Sequence, residues 1–497
     1  MERILKYLPI IFSASMMGLS QHPIGLGFLS YIFLLPLIPR LINLKLYSEA
    51  LSIGIIWGVV YNVLTVYWIA FNIGTSPGIA FLTMVLSVLI LTSGPLISVL
   101  IWCYLNRRGN SIYLFALVWP SIEFLRSYGS LGFPWISLAN SQLDYHLIIQ
   151  NAEYIGIYGI TFWILVINIL FFNAIIDRGK KQFILLFSIF ILPLITGQII
   201  LNLNYANNSD ASLRVASIQP NIHLSEKWEP GAQRKIISKI TSQSSQTLDS
   251  NIDLLVWPET STISYILQND KHGYNKIKEM LADYDTKLIA GIPYYERTNN
   301  RVNYFNSAGY FDSSGLLGLY HKINLVPGAE YVPLSKYINS LDIFNFGQGN
   351  FVHGDEYTVF DIGNHKFSSM ICLESTFPCL SRKFVKKGAN FLVYVINDGW
   401  YETAPEPQQH AYRAIYRAIE TRRPIVRCAN TGISMIIDQF GNIQHELELN
   451  KQGSIVAEIH PQNKITFYVK YGDIFIYFMI LVIILCMFKP IRYEDYI

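Results

Sequence analysis

Charge is scarce in this 497-residue chain: Asp, Glu, Lys and Arg make up 15% of it against 51% hydrophobic residues, and none of the four occurs between Glu49 and Arg107. Such a balance excludes a wholly water-soluble protein, in which about a quarter of residues are charged. Basic blocks interleaved with aromatics are missing and the net charge is only +3, so nucleic acid is excluded as a partner. The ten histidines show no spacing suited to zinc, and no glycine-rich phosphate loop follows a strand. No metal or other cofactor is expected.

What the chain has instead is long apolar runs. Asn72, Gly74, Ser76, Pro77 and Gly78 break the charge-free stretch into two lengths that each suffice to cross a bilayer. Eight spans are expected, near 5–21, 25–39, 51–72, 79–104, 112–127, 155–176, 182–202 and 468–488. Glu123 and Arg126, three residues apart in the fifth, read as an interfacial salt bridge with snorkelling in preference to a functional intramembrane pair. Basic residues gather at Arg3 and Lys6, Arg40 and Lys45, Arg107 and Arg108, Arg178, Lys180 and Lys181, and Lys489 and Arg492. These fall on one side if all seven leading spans are real, which puts the region after the seventh on the opposite, extracytoplasmic side. The basic start "MERILKY" reads as the flank of a retained span, because no clear small-x-small cleavage site follows it. The expected division is a seven-helix transmembrane domain over 1–205, an extracytoplasmic domain over 206–465, and a last helix with a short cytoplasmic tail over 466–497.

Between Asp210 and about His460 the texture changes to mixed charge and short apolar runs, a size suited to one water-soluble domain. Strand-like "LRVASIQP", "DLLVWPE", "TKLIAGIPYY", "NFLVYVIND" and "IVRCANTGISMII" alternate with helix-like "RKIISKITSQSSQTL", "NKIKEMLADY", "CLSRKFVKKG" and "QHAYRAIYRAIE", an α/β pattern. Glu259, Cys372 and Asn397 each follow an apolar strand, where sites of layered α/β folds assemble. Of the five cysteines, Cys103 and Cys486 lie in spans as packing residues, and Cys428 reads as a small buried hydrophobe. Cys372, Cys379 and Cys428 make an odd count in the soluble domain, so at least one thiol there is free.

Three residues form a candidate constellation. Ser375 or Thr376 as N-cap and Pro378 in the first turn would set Cys372 at a helix N-terminus, which favours thiolate. Lys322 offers an ammonium for that thiolate and for a developing oxyanion. Glu259 offers a general base if burial raises its pKa. Taken singly, each has an ordinary explanation: a helix cap for Glu259, a solvated loop charge for Lys322, a core thiol for Cys372.

The ordered set W-P-E, Y-x-K-x-x-L-V-P and I-C-x-E, with "NDGW" downstream, resembles the nitrilase superfamily. That implies an αββα sandwich with a Glu-Lys-Cys triad. The membrane frame narrows the resemblance to the apolipoprotein N-acyltransferase family, over essentially the whole chain and including "EFLRSYGSLGFPWISLANSQ" at 123–142. The implied fold is a nitrilase-like sandwich inserted between transmembrane helices of an eight-span domain. By resemblance Glu259 is the base, Lys322 the triad lysine and Cys372 the nucleophile; Trp228, Glu330 and Glu374 are needed for activity, and Asn306 is a weaker match. Lys322 and the backbone N–H of Leu373 would hold the oxyanion. Departures occur at Gly328 and Ala329, where the family commonly has Phe and Gly before the glutamate, and at Leu373, where an aromatic is common.

The implied reaction moves a fatty acyl group from a membrane phospholipid, through a cysteine thioester, to the amine of a diacylglyceryl-cysteine lipoprotein. The implied setting is the bacterial inner membrane, with the catalytic domain on the periplasmic side. "AEYVPLSKYINSLDIFNFGQGNF" and "NDGWYETAPEP" are candidates for a membrane-facing mouth. A membrane-tethered hydrolase of nitriles or amides is the alternative function. A transporter would call for paired charges or broken helices within the spans, which the charge-free region offers little of.

Overall fold

The computed structural model describes residues 5–490 apart from 130, 206–211, 250, 299–300, 333–349, 402 and 404. The chain divides into one unit of Met1–Phe71, Pro77–Asn204 and Tyr471–Ile497 and another of Asn72–Ser76 and Tyr205–Lys470.

In the first unit, the helical stretches Tyr47–Phe71, Pro77–Asn106, Ala152–Asp177 and Lys180–Asn204 are long and apolar enough to cross a membrane, and Leu8–Leu19, Tyr113–Leu125 and Ile474–Met487 are shorter apolar helices. Glycine lets the first two of these pack closely. A Cβ on Gly54 would stand 2.7 Å from the Cα of Leu96, and one on Gly58 2.7 Å from Thr92 Cγ2.

The second expected span is not a helix. Pro36 and Pro39 with Gly25 and Gly27 interrupt it, Pro23 precedes it, and residues 20–43 run as turns, a 3-10 turn Gly27–Tyr31 and the short helix Ile38–Asn43. Phe33, Leu34, Leu37 and Leu41 are fully buried. Side chains from distant helices meet the backbone groups this leaves open. The Leu34 N–H donates to Asn168 Oδ1 at 2.9 Å and Asn168 Nδ2 to the Ser30 carbonyl at 2.7 Å. Trp102 Nε1 donates to the Leu41 carbonyl at 2.8 Å, and Asn106 Nδ2 to those of Ile42 and Leu44 at 2.9 and 2.8 Å. Glu123, expected at an interface with Arg126, is buried instead. Its carboxylate accepts from Trp119 Nε1 (3.0 Å), Ser137 Oγ (2.8 Å), Thr161 Oγ1 (3.0 Å) and the Leu138 N–H (2.9 Å), while Arg126 donates to the Ile136 carbonyl.

The strands of the second unit are β1 (Leu213–Gln219), β2 (Leu254–Val256), β3 (Lys287–Thr298), β4 (Arg301–Asp312), β5 (Gly315–His321), β6 (Phe360–Ile362), β7 (His365–Ile371), β8 (Phe391–Ile396), β9 (Ile425–Ala429), β10 (Ser434–Ile437), β11 (Ile443–Leu447) and β12 (Gly453–Ile459). They form two six-stranded sheets, ordered β12-β1-β2-β3-β4-β5 and β11-β10-β9-β8-β7-β6. Each has three central parallel strands, β1 to β3 and β7 to β9, with antiparallel neighbours outside. The sheets face each other: Cys428 on β9 reaches the carbonyls of Ile218 and Val256 on β1 and β2 at 3.1 and 3.3 Å.

The helices Ala232–Thr247 and Lys271–Tyr284 cover the outside of the first sheet, packing Ile237, Ile240, Ile277 and Leu281 on Ile218, Leu255, Trp257 and Leu288. Each such side chain, once fully buried, contributes about 1.5–3 kcal/mol. Pro378–Lys386 and Glu406–Thr421 cover the second sheet, completing a four-layer αββα sandwich. Two local expectations change. "IVRCANTGISMII" is the hairpin β9–β10 rather than one strand, and Pro378–Lys386 is capped by Phe377, after a 3-10 turn Cys372–Thr376, rather than by Ser375 or Thr376.

Candidate active site

Both sheets deliver residues to one place at the C-terminal ends of their parallel strands. Glu259 lies three residues beyond β2, in a turn pressed onto Gly291 of β3. A Cβ there would stand 2.5 Å from the Cα of Glu259 and 2.8 Å from the Pro258 carbonyl, so only glycine admits the turn. Lys322 follows β5, and Asn306 sits on β4, whose carbonyl accepts the Lys322 N–H at 2.9 Å.

Lys322 Nζ is 2.9 Å from Glu330 Oε1 and 3.5 Å from Glu259 Oε1, and all three residues are buried. Asn306 Nδ2 donates to both carboxylates at 2.8 Å, tying Glu259 to Glu330. The other oxygen of Glu330 accepts the Val326 N–H at 2.7 Å. Burial pushes the Glu259 carboxyl upward, Lys322 opposes it and Glu330 adds to it. Burial also works against the charge on Lys322, but Glu330 and Glu259 outweigh it and hold the ammonium protonated. A carboxyl with a raised pKa beside a fixed cation is suited to taking and returning a proton near neutral pH.

Cys372 follows β7 at φ +51°, a left-handed conformation that sets a non-glycine side chain on a strained elbow. The residue as a whole is half-buried, and its thiol is enclosed. The expectation of a thiol biased toward thiolate is reversed. Burial and the charge of Glu259 push it well above the ordinary thiol range, and Lys322 offsets this only in part. The nucleophile therefore rests as a thiol and needs a base at the moment of attack. Cys428, fully buried, is pushed up to about 12 and serves packing. All five cysteines are free thiols.

Glu374 ties the two sheets' contributions together. Its Oε1 accepts from Tyr320 Oη (2.8 Å) and the N–H groups of Ile323 (2.7 Å) and Asn324 (2.9 Å), beside Lys322, while Oε2 accepts the Ile371 N–H (2.9 Å) beside Cys372. Burial raises its carboxyl to about 7. Leu373 is buried next to the thiol. Trp228 ends the 3-10 turn Ser225–Trp228, but its side chain lies outside the described residues, as does most of the expected mouth at 329–351.

Residues that sequence reasoning missed stand behind the nucleophile. His410 Nδ1 is 2.7 Å from Asp398 Oδ1, and its Nε2 is 2.9 Å from Ser375 Oγ and 3.1 Å from the Cys372 carbonyl. Arg427 Nη2 donates to Asp398 Oδ2 at 2.7 Å. Burial alone would raise Asp398, but His410 and Arg427 hold it below the usual carboxylate range. The metal-ligating atoms of Cys372, Asp398 and His410 lie within 4.8 Å of one another. A cation there would have to displace those hydrogen bonds, so the group acts as a bracket for the nucleophile's backbone. Asp398 was within reach of sequence reading as the residue after Asn397 at the end of β8; His410 had no such signal.

Comparison with known proteins follows the same division. Residues 214–465 match the carbon-nitrogen hydrolase family, and residues 13–170 match the apolipoprotein N-acyltransferase N-terminal domain. The apolipoprotein N-acyltransferase of Geobacter metallireducens is 30% identical over 486 residues, covering 94% of this chain and 92% of its own. That of Chlorobaculum tepidum is 26% identical over 503 residues, covering 94% and 93%. The solved structure of Saccharomyces cerevisiae Nit3, of the nitrilase superfamily, covers 51% of this chain and 92% of its own at a TM-score of 0.39 and 18% identity. With its helical and α/β portions matched in turn, and a relative 30% identical along nearly the whole of both chains, the chain belongs to the apolipoprotein N-acyltransferase family.

Proposed function

We propose that the chain transfers a fatty acyl group from a membrane phospholipid to the N-terminal amine of a diacylglyceryl-cysteine lipoprotein, with Cys372 as acyl carrier, Glu259 as proton carrier and Lys322 as oxyanion partner. The observation that carries the residue assignment is Lys322 Nζ, held 3.5 Å from Glu259 and 2.9 Å from Glu330 beside an elbow cysteine. Glu259 takes the thiol proton as sulfur attacks the ester carbonyl, and Lys322 with the Leu373 N–H stabilises the oxyanion. Collapse breaks the ester C–O bond, and the leaving lysophospholipid oxygen takes the proton back from Glu259. The lipoprotein amine then attacks the thioester and gives its proton to Glu259; the C–S bond breaks, and Glu259 returns that proton to sulfur. Exclusion of water protects the thioester between the two steps.

The proposal extends to topology. The seven apolar helices and the buried return of residues 20–43 make eight crossings, with the catalytic unit on the periplasmic side of the inner membrane. The basic clusters at alternate turns and the partners that residues 20–43 find in Asn168, Trp102 and Asn106 support this reading. The alternative, a membrane-tethered carbon-nitrogen hydrolase, would use the same three residues with water as acceptor. Incubation of the purified protein with phospholipid and a diacylated lipopeptide, followed by mass analysis of both products, tests the choice. Acyl gain on the peptide amine is the expected result, and hydrolysis without acyl gain favours the hydrolase.

A further inference from the structure

One buried lysine has no part in the reaction just described. Lys227 sits in the 3-10 turn Ser225–Trp228 with 5% of its surface exposed. A lysine on a turn ordinarily keeps its ammonium in water. This one instead donates from Nζ to the carbonyl of Thr260 at 3.2 Å. Thr260 directly follows Glu259 and has φ +52°, a region that a β-branched residue occupies only when its surroundings hold it there. The turn bearing Glu259 is thus pressed on Gly291 and gripped at its next carbonyl by Lys227.

The charges around the base give the grip a second meaning. Glu259 is acted on by Lys322, Glu330 and Lys227, with Asn306 hydrogen-bonded to it, and the Cys372 thiol by Glu259, Lys322, Asp398 and Glu330. Asp398 is matched by Arg427 and His410, and Glu374 by Tyr320 and three backbone N–H groups. The carboxyl groups of Glu259, Glu330 and Glu374 surround Lys322, whose single charge cannot answer them all. Lys227 is the other cation. Passing the thiol proton to Glu259 moves a negative charge from carboxylate to sulfur and leaves the local sum unchanged, so the second cation serves before and after the transfer.

We propose that Lys227 is a positioning residue for the general base, holding the Glu259 turn through the Thr260 carbonyl and supplying the second cation that keeps Glu259 ionised in the resting enzyme. The proposal rests on the roles given above to Glu259 and Cys372. Burial lowers Lys227 to about 8, so this balance is present below that pH and is lost as pH rises through it.

The test is the rate of acyl-enzyme formation on Cys372 of the full-length protein with phospholipid vesicles, followed by intact mass across the acid and neutral range. The wild-type rate should rise with the ionisation of Glu259 and level off. In Lys227→Met this acid limb should move to higher pH by a fraction of a unit, so that the rate below the limb falls about two- to threefold. Lys227→Gln, which keeps a side-chain donor but loses the charge and one atom of reach, should move the limb in the same direction, and Lys227→Arg should restore it. An unmoved limb in both uncharged variants overturns the proposal. Loss of cooperative thermal unfolding in both, with Lys227→Arg intact, also overturns it, because the ammonium would then serve the fold alone. Failure of the wild type to form any adduct counts against the reading of the site itself, and is seen before any Lys227 variant is made.

Discussion

Replacing Glu259 with Gln should make Cys372 more reactive toward iodoacetamide at neutral and alkaline pH, even as it abolishes acylation by phospholipid. Burial and the Glu259 charge hold the thiol above its ordinary range, and Lys322 pulls the other way. In the wild type the thiolate forms by passing its proton to Glu259, a transfer inside a buried pair that exchanges nothing with water. Once Glu259 is ionised, the thiolate population therefore stops changing with pH. In Glu259→Gln the proton must leave to solvent, so the thiolate population rises about tenfold per pH unit until the thiol itself titrates. The two curves should coincide below the Glu259 titration and part above it, the variant leading by about a hundredfold two units higher. Initial rates of carboxamidomethylation, read on the peptide that carries Cys372, measure both curves, and the break in the wild-type curve reports the Glu259 titration. A wild-type rate that climbs tenfold per unit through neutrality, parallel to the variant, would refute the assignment of Glu259 as the base.

Phospholipid alone should make the enzyme heavier by one fatty acyl group that neutral hydroxylamine removes; Cys372→Ser should lose the adduct, Cys379→Ala and Cys428→Ala should keep it, and an adduct surviving Cys372→Ala would sink the mechanism. Gly291→Ala would drive a Cβ to 2.5 Å from the Glu259 backbone; slower acylation and a stability loss of about 1–3 kcal/mol by thermal unfolding are expected, and wild-type kinetics would mean the turn yields freely. A reporter active only outside the cytoplasm should work when fused near Asp249 and fail near Arg108, and the reverse pattern would overturn the proposed orientation.

The site was more legible in the sequence than its electrostatics. Glu259, Lys322 and Cys372 each follow an apolar strand and carry neighbours of recognisable order, and the structure brings Glu259, Lys322, Glu330 and Asn306 into one hydrogen-bonded group. What a linear pattern cannot carry is burial. The thiol was read as activated because proline and a cap candidate follow it, whereas enclosure and a nearby carboxylate set its charge state. In the fold, β11 was missed because its middle positions, Gln444, His445 and Glu446, are exposed and polar, leaving no apolar alternation to detect. β12 was missed although its burial does alternate; the polar run before it hid a strand that pairs across to β1, more than 230 residues earlier by register. The second expected span failed because hydropathy records apolarity and not the clustering of prolines and glycines that breaks this segment into turns.

That irregular segment bears on the order in which the protein is assembled. Beyond its own turn hydrogen bonds, its backbone is met by Trp102, Asn106 and Asn168, which stand 61 to 138 residues further along the chain in their respective hydrogen bonds. A polypeptide made from its N-terminus has none of these three side chains when residues 20–43 emerge, and the turns there satisfy only part of their own backbone, where a continuous helix would satisfy nearly all of it. Stable entry of this segment into an apolar surrounding must therefore wait for the helices Pro77–Asn106 and Ala152–Asp177. The early part of the chain is completed late, and substitutions at Asn168 or Asn106 should trap a partly inserted protein rather than an inactive one.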